Sequence, residues 1–367
     1  MKAVTYTSFG TATDVLTFHT DVPEPTLPPP AAADAPSSPP TVLLRVHAVA
    51  LNPVDWKRIS GALRPFFPSP SPAAPLIPCM DVAGVVTATS SATPAFPVGT
   101  RVFGCIWGGG MAEVVDAPES ALAAIPPGVS FVDAAAVPLA CLTVLQCLRR
   151  LTEQVGDAAA SPPLPIPSLL VTSGAGGTGS FALQLAKRVF GVPRVVTTVS
   201  AAKAELASSL GADECIDYKK TTIGAALRGD DDRRVAAGLD LVGDIPGVLG
   251  GVTPGGAVVG IAGPFQADQM GPWCPNGVPL YLRLVLWAMC VPVNVAAAVA
   301  RVRWSSLLLT SRGDELAEVA GWMAEGKVKP LVDSVHEGLE AHADAFGVLM
   351  GGHATGKVVV RVVPEEA

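Results

Sequence analysis

Leu169-Leu170-Val171-Thr172-Ser173-Gly174-Ala175-Gly176-Gly177-Thr178-Gly179-Ser180 decides the fold. Its apolar start predicts a short strand, and residues 174–179 fit G-x-G-x-x-G. A helical period then follows at Phe181, Leu185 and Val189, predicting a helix over Phe181–Phe190. Alone, such a glycine pattern says little; between a strand and a helix it acquires a mechanism. Glycines let the backbone turn tightly and approach a pyrophosphate. The helix starting near Ser180 then points its free N–H groups and positive dipole end at that anion. Gly174, Ala175, Gly176, Gly177, Thr178 and Gly179 are therefore expected to cradle a dinucleotide. The plain alternative is an ordinary Gly-rich turn.

Downstream the alternation continues. Arg194–Val199 reads as a strand and Lys203–Leu210 as a helix. Glu214–Tyr218, Leu239–Val242 and Ala257–Ile261 read as further strands. Such alternation implies a parallel sheet covered by helices. Upstream the pattern differs. Residues 1–22 and 41–50 read as strands, the second from the alternation in Val42-Leu43-Leu44-Arg45-Val46-His47. Short apolar runs follow at Val82–Thr87, Arg101–Ile106 and Ala112–Val115, and Asp133–Arg150 is helical in period. The tail from Val328 to Val363 returns to short strands around a helix near Leu339–Leu349. Pro-rich runs at 28–40 and 161–167 read as surface loops. The expected fold class is α/β: a β-rich domain over 1–133 and 325–367, and a doubly wound parallel sheet over 134–324.

The tip of the strand after the glycine loop bears on cofactor choice. An NAD enzyme usually carries an acidic residue there to accept from the ribose 2′-hydroxyl. None lies between Gly179 and Lys203; Ser200 and Lys203 stand there and suit a 2′-phosphate. That predicts NADPH. The alternative for Lys203 is a solvated helix residue.

Composition agrees with a small-molecule enzyme. The chain has 367 residues, room for two domains, and its net charge of −7 argues against a nucleic-acid partner. The seven cysteines are scattered without a C-x-x-C pair, as expected of reduced thiols rather than a metal knuckle. The most apolar stretch, between Arg283 and Arg301, is interrupted by Pro292 and Asn294 and reads as a buried helix or a subunit interface.

Several motifs carry a resemblance. They are Leu51-Asn52-Pro53-Val54-Asp55-Trp56-Lys57, Arg64-Pro65-Phe66, Asp81-Val82-Ala83-Gly84, Leu210-Gly211-Ala212-Asp213-Glu214, Gly326-Lys327-Val328-Lys329 and Gly352-His353-Ala354-Thr355-Gly356-Lys357. Together they resemble the zeta-crystallin-like quinone oxidoreductases of the medium-chain dehydrogenase/reductase superfamily, in particular the plant chloroplast-envelope homologues. The resemblance implies a GroES-like catalytic domain split by a Rossmann domain. It implies NADPH-dependent reduction of quinones or α,β-unsaturated carbonyls, including oxylipin ketols. It places Tyr218 at the adenosine end of the cofactor, Lys203 at the 2′-phosphate, and Gly260, Ile261, His353 and Lys357 on the cofactor side. It brings the Asn52 turn to the nicotinamide. Zinc relatives carry Cys and His where Asn52 and Met80 stand, so no metal is expected. A small-molecule substrate, a monomer or homodimer, peripheral membrane contact, and a location at the chloroplast envelope or in the cytoplasm fit the same group.

Reducing an enone without a metal needs hydrogen-bond donors at its oxygen. The candidates are Asn52, Lys57 oriented by Asp55, and Thr143. The bland alternatives are an Asn52 that only caps a turn, an exposed Asp55–Lys57 ion pair, and a Thr143 bonded to its own helix. Tyr281 is a further acid candidate or a packed aromatic. The competing function is a membrane-associated NADPH-binding scaffold with little turnover, motivated by the apolar stretch 284–300.

Overall fold

A computed structural model describes residues 1–27, 39–155, 166–227, 233–274 and 277–363. The Pro-rich runs lie largely outside these residues, and Asp230-Asp231-Asp232 lies wholly outside them.

The chain starts with β1 (Ala3–Thr5), α1 (Ala12–Val15) and β2 (Thr17–His19), a short antiparallel pair around one helical turn. The continuous extended segment expected over 1–22 is thus broken by a turn at Gly10 and Thr11. There follow β3 (Thr41–Leu51), α2 (Pro53–Ile59), β4 (Asp81–Thr89), β5 (Arg101–Cys105), β6 (Val114–Pro118) and β7 (Leu122–Ala124). The helical period at 133–150 resolves into α3 (Phe131–Ala135) and α4 (Pro138–Val155), because Pro138 has no N–H to continue a helix and instead starts one.

The second run alternates: β8 (Ser168–Val171), α5 (Gly177–Arg188), β9 (Arg194–Val199), α6 (Ala204–Leu210), β10 (Glu214–Asp217), α7 (Ile223–Leu227), β11 (Val235–Asp240), α8 (Ile245–Gly251), β12 (Val252–Gly260), α9 (Leu280–Ala300) and β13 (Arg303–Ser306). The chain ends with α10 (Gly313–Ala324), β14 (Val332–Glu337), α11 (His342–Met350) and β15 (Lys357–Arg361).

Two compact units result: Met1–Leu142 with Ser311–Ala367, and Thr143–Thr310. These divisions differ from 133/134 and 324/325. Helix α10 belongs with the first unit because it packs on β7. There Gly313 lies so close that a Cβ would sit 2.4 Å from the Leu122 carbonyl oxygen.

In the first unit the sheet runs β14-β15-β3-β4-β5-β7, with β6 also pairing β3. Alternate residues of β3, Val42, Leu44 and Val46, enter its core with Ile59, Val102 and Phe346. In the second unit the order is β10-β9-β8-β11-β12-β13, and every neighbouring pair is parallel. This is the expected doubly wound sheet. Its central strands β8, β9 and β11 are buried nearly throughout, as a sheet covered on both faces requires. Sequence patterning placed β11 and β12 too late and missed β13. Val235-Ala236-Ala237-Gly238 and Pro254-Gly255-Gly256 offer too little side chain to show a period.

Of the two readings for the apolar stretch, helix α9 departs from the buried helix and leaves the subunit interface untested. Only Leu286, Cys290 and Ala297 are buried along it, while Leu284, Trp287 and Val295 face outward.

Candidate active site

The parallel sheet gathers one group of candidates at the carboxyl ends of its strands. Ser173 and Gly174 leave β8 and turn under the tip of β9: Ser173 N–H donates to the Thr198 hydroxyl at 2.9 Å and Gly174 N–H to the Thr198 carbonyl at 3.2 Å. A Cβ on Gly174 would meet Thr197 Oγ1 at 2.2 Å, and one on Gly179 would meet the Ser173 carbonyl oxygen at 2.0 Å. Only glycine allows this approach. It leaves the start of α5 bare, with first-turn N–H groups that have no intrahelical partner. The helix begins at Gly177 rather than Phe181, so Gly177, Thr178 and Gly179 lie in that first turn and Ala175 lies in the loop before it. A pyrophosphate fits such a cradle: it is an anion, and the cradle presents donors and a positive dipole end.

Ser200 closes β9, and Lys203, half-buried, precedes α6; the Lys203 N–H bonds the Ser200 carbonyl at 2.9 Å. Tyr218 follows β10 and is 60% exposed. Gly260 ends β12, and Ile261 N–H donates to the Asp240 carbonyl at 3.0 Å. All of these sit on one edge, at the ends of adjacent strands.

Sequence reading missed Asp240. It ends β11, beside β8, where the chain winds outward in both directions. Its carboxylate is buried, and Oδ1 accepts from the N–H groups of Val242 and Gly243 at 3.1 and 2.9 Å. Thr172, the residue before Ser173, donates its hydroxyl to the same oxygen at 3.3 Å. Oδ2 has no partner, and burial pushes the carboxyl above its usual range. An Asp closing an apolar strand before Val-Gly was the available signal.

The first unit gathers the other group. β15, β3 and β4 are antiparallel neighbours, so the start of β15, the end of β3 and the start of β4 coincide. Lys357, Asn52 and Asp81 occupy those three ends. Gly356 takes φ 105° and runs so near Leu331 that a Cβ would lie 2.1 Å from its carbonyl oxygen, which explains the glycine before Lys357. The Asn52 amide donates to Asp81 Oδ2 at 2.8 Å, and its oxygen accepts from Lys357 Nζ. Lys357 also lies 3.4 Å from Asp81 Oδ2. Asp81 Oδ1 accepts from Leu139 N–H at 2.9 Å, at the start of α4, where a negative charge is favoured. All three side chains are buried.

Asp55 completes this cluster. Pro53 starts α2, and the Asp55 carboxylate accepts the Asn52 backbone N–H at 2.7 Å. Asp55 is buried and its Oδ1 has no partner. Burial pushes its carboxyl up to about 7, the Asn52 N–H opposes that, and the nearby Asp81 charge adds to it. Burial also raises Asp81, against the pull of Lys357. Of the two carboxyls only Asp81 lies within reach of the Lys357 ammonium, at 3.4 Å. The flanking thiols of Cys79 and Cys105 are pushed up by burial and stay protonated.

Three expectations change. Asp55 does not orient Lys57, whose Nζ lies 5.8 Å from the centroid of the Trp56 ring; the exposed Asp55–Lys57 pair is likewise absent. Asn52 does more than cap a turn, since its side chain is bonded to Asp81 and Lys357 and keeps one amide hydrogen outside those bonds. Lys357, expected on the cofactor side, is buried in the first unit, bonded to Asn52 and close to Asp81. His353 is exposed in the turn after α11, and Thr143 is buried in α4. Tyr281 is exposed on α9, not packed. All seven cysteines are unpaired, and among the described residues no group of three His, Cys, Asp or Glu side chains could hold a metal ion.

Comparisons with known proteins agree with both halves. Residues 38–127 match the alcohol dehydrogenase GroES-like domain, and residues 210–360 match the zinc-binding dehydrogenase model. The chain is 33% identical over 374 residues to the chloroplast envelope quinone oxidoreductase homolog of Arabidopsis thaliana, covering 98% of each. It is 32% identical to the chloroplastic NADPH-dependent alkenal/one oxidoreductase of the same plant, over 99% of this chain and 80% of that one. Among solved structures it resembles the quinone oxidoreductase of Thermus thermophilus, also solved in complex with NADPH. There the TM-score is 0.70 and the identity 26%, over 99% of this chain and 100% of the other.

Proposed function

This chain belongs to the quinone oxidoreductase family of the medium-chain dehydrogenases/reductases, and from that premise we propose that it reduces quinones or α,β-unsaturated carbonyls with NADPH. The observation that carries the cofactor is the tip of β9. Beside a glycine cradle fit for a pyrophosphate, it offers Ser200 and Lys203 and no carboxylate. Gly174, Ala175, Gly176, Gly177, Thr178 and Gly179 hold the pyrophosphate, Ser200 and Lys203 the 2′-phosphate, and Tyr218 flanks the adenosine; Gly260 and Ile261 line the same edge. When bound, the dinucleotide supplies the hydride.

The protein's part is to hold the substrate, exclude water and stabilise charge. We assign Asn52 the role of donor, through its uncommitted amide hydrogen, to a substrate oxygen that turns negative. Lys357 and Asp81 fix its rotamer. An amide already held on two sides loses little freedom when a substrate binds, which is the preorganisation such a donor needs. Thr143 is the second donor candidate.

The same turn argues for catalysis without zinc: Asn52 and Met80 replace the expected Cys and His, and Asn52 is engaged by Lys357 and Asp81. Plastid location is the reading we favour over cytoplasm, from relatives named as chloroplastic. The test is NADPH oxidation over a panel of quinones, enals and ketols, with and without a chelator. Binding of NADPH without turnover on any of them would sink the proposal. Loss of activity on chelation would sink its metal-free part.

A further inference from the structure

Asp240 is fully buried, yet it stands where the loops of the nucleotide edge begin. Its Oδ1 accepts the backbone N–H groups of Val242, Gly243 and Asp244 at 3.1, 2.9 and 3.3 Å, so the turn between β11 and α8 is folded around this one oxygen. Convergent N–H groups of this kind form an anion-binding concavity. Here the chain's own carboxylate fills it. The Asp240 carbonyl accepts the Ile261 N–H at 3.0 Å, which joins the end of β12 to the same residue.

The link to the glycine loop is Thr172, which is buried as well. Its hydroxyl donates to Asp240 Oδ1 at 3.3 Å and accepts the Leu241 N–H at 2.7 Å, and its own N–H donates to the Leu239 carbonyl at 3.1 Å. The next residue, Ser173, has φ 57°, a left-handed conformation that a side chain disfavours and that persists only where the surroundings hold it. Thr172 holds Ser173 from the β11 side. Thr198, whose hydroxyl and carbonyl accept the N–H groups of Ser173 and Gly174, holds it from the β9 side. The Ser173 carbonyl oxygen in turn receives the Gly176 N–H at 3.0 Å and is the atom on which Gly179 closes. The shape of the cradle therefore hangs on the orientation of Ser173. Glycine has more backbone freedom to lose than any other residue, so a loop with Gly174, Gly176, Gly177 and Gly179 left unheld would be ordered by its ligand, at a cost in affinity.

We propose that Asp240 is a positioning residue for the dinucleotide, acting through Thr172 to hold the glycine loop in the shape that takes the pyrophosphate. This rests on the NADPH reading above. Both side chains are buried, so they act through the backbone they hold and not by touching the ligand. The experiment is isothermal titration of the full chain with NADPH and with NADH, with thermal melting alongside. Thr172→Val keeps the side chain's size and removes its hydroxyl; Asp240→Ala removes the carboxylate. Each is expected to weaken both nucleotides by about tenfold with their ratio unchanged, since the clamp acts at the pyrophosphate and not at the 2′-phosphate. The double variant should also lose about tenfold rather than about a hundredfold, because both changes break the same clamp. Asp240→Asn keeps an oxygen for the turn and for Thr172, and should stay within about threefold of the parent. Should Asp240→Ala fail to fold, Thr172→Val decides the matter alone. Parent-like affinities in Thr172→Val, whatever its melting temperature, overturn the proposal and leave the NADPH reading standing. Losses that multiply in the double variant, or that fall on NADPH alone, overturn it too. A parent chain that binds neither nucleotide overturns the NADPH reading and this proposal with it.

Discussion

Lys357 Nζ donates to the side-chain oxygen of Asn52, joining residues 305 positions apart at the meeting ends of β15 and β3. With Asp81 they form a buried ion pair bridged by an amide, and the predictions for the first unit follow from it.

Breaking that pair from one side should cost more than removing both charges. Lys357→Met leaves Asp81 buried with no cation and is expected to destabilise by about 3–5 kcal/mol. Adding Asp81→Asn should recover part of the loss. A double-mutant cycle by urea unfolding measures the coupling, and additive losses would show that the two groups do not interact energetically. NADPH affinity of the folded Lys357→Met fraction should stay near the parent's, because this ammonium is enclosed in the first unit. A selective loss of NADPH affinity would return Lys357 to the cofactor.

Asp55 sets a pH dependence of definite sign. Its folded carboxyl titrates at about 7, above an unfolded value of about 3.9, so the folded state binds the extra proton between these limits. Its contribution is fully favourable below about pH 4 and is lost as pH rises through 7. Asp55→Asn, which keeps an acceptor for the Asn52 N–H, should flatten this part of the curve. Compared by urea unfolding across that window, the parent should lose stability relative to the variant by a few kcal/mol. Parallel curves would rule the assignment out.

At the nucleotide edge, Lys203→Ala should weaken NADPH by about one to two decades and leave NADH nearly unchanged, the loss of one ion-assisted contact. Gly179→Ala should weaken both cofactors, because its Cβ would be forced to within 2.0 Å of the Ser173 carbonyl oxygen and the loop must move. Isothermal titration separates the two patterns. Equal loss of NADH and NADPH in Lys203→Ala would deny that residue the 2′-phosphate.

Asn52 and Lys57 should now behave differently. Asn52→Ala is expected to lower kcat by about 10²–10³ with NADPH affinity retained, as for removal of an oxyanion donor. Lys57→Met should keep kcat within about threefold, since Lys57 lies beside Trp56 and takes no part in the buried cluster. Should Lys57→Met be the damaging change, the donor is Lys57; should both variants keep full turnover, it must be sought at Thr143.

How much of this was legible beforehand follows from the range of each interaction. The glycine loop, the helix after it and the missing acid at the tip of β9 were readable because strand, turn and first helical turn are local events over a dozen residues. The β-to-α/β division was readable because hydrophobic period depends only on neighbours in the chain. Residue types also made the Asn52 turn and the Gly356-Lys357 pair visible as motifs. What each motif does was not visible. Lys357 read as a cofactor-side residue, and only the register of β15 against β3 and β4 turns it inward to Asn52 and Asp81. Asp55 looked like a partner for the lysine two residues on, but backbone geometry aims it at the Asn52 N–H and burial raises its titration. The apolar run after Arg283 read as a buried helix or a subunit interface, because composition reports how apolar a helix is and not which face has something to pack against. Only the parallel pairing of β12 with β13, which ties down both ends of α9, decided that one stripe is buried and the rest exposed.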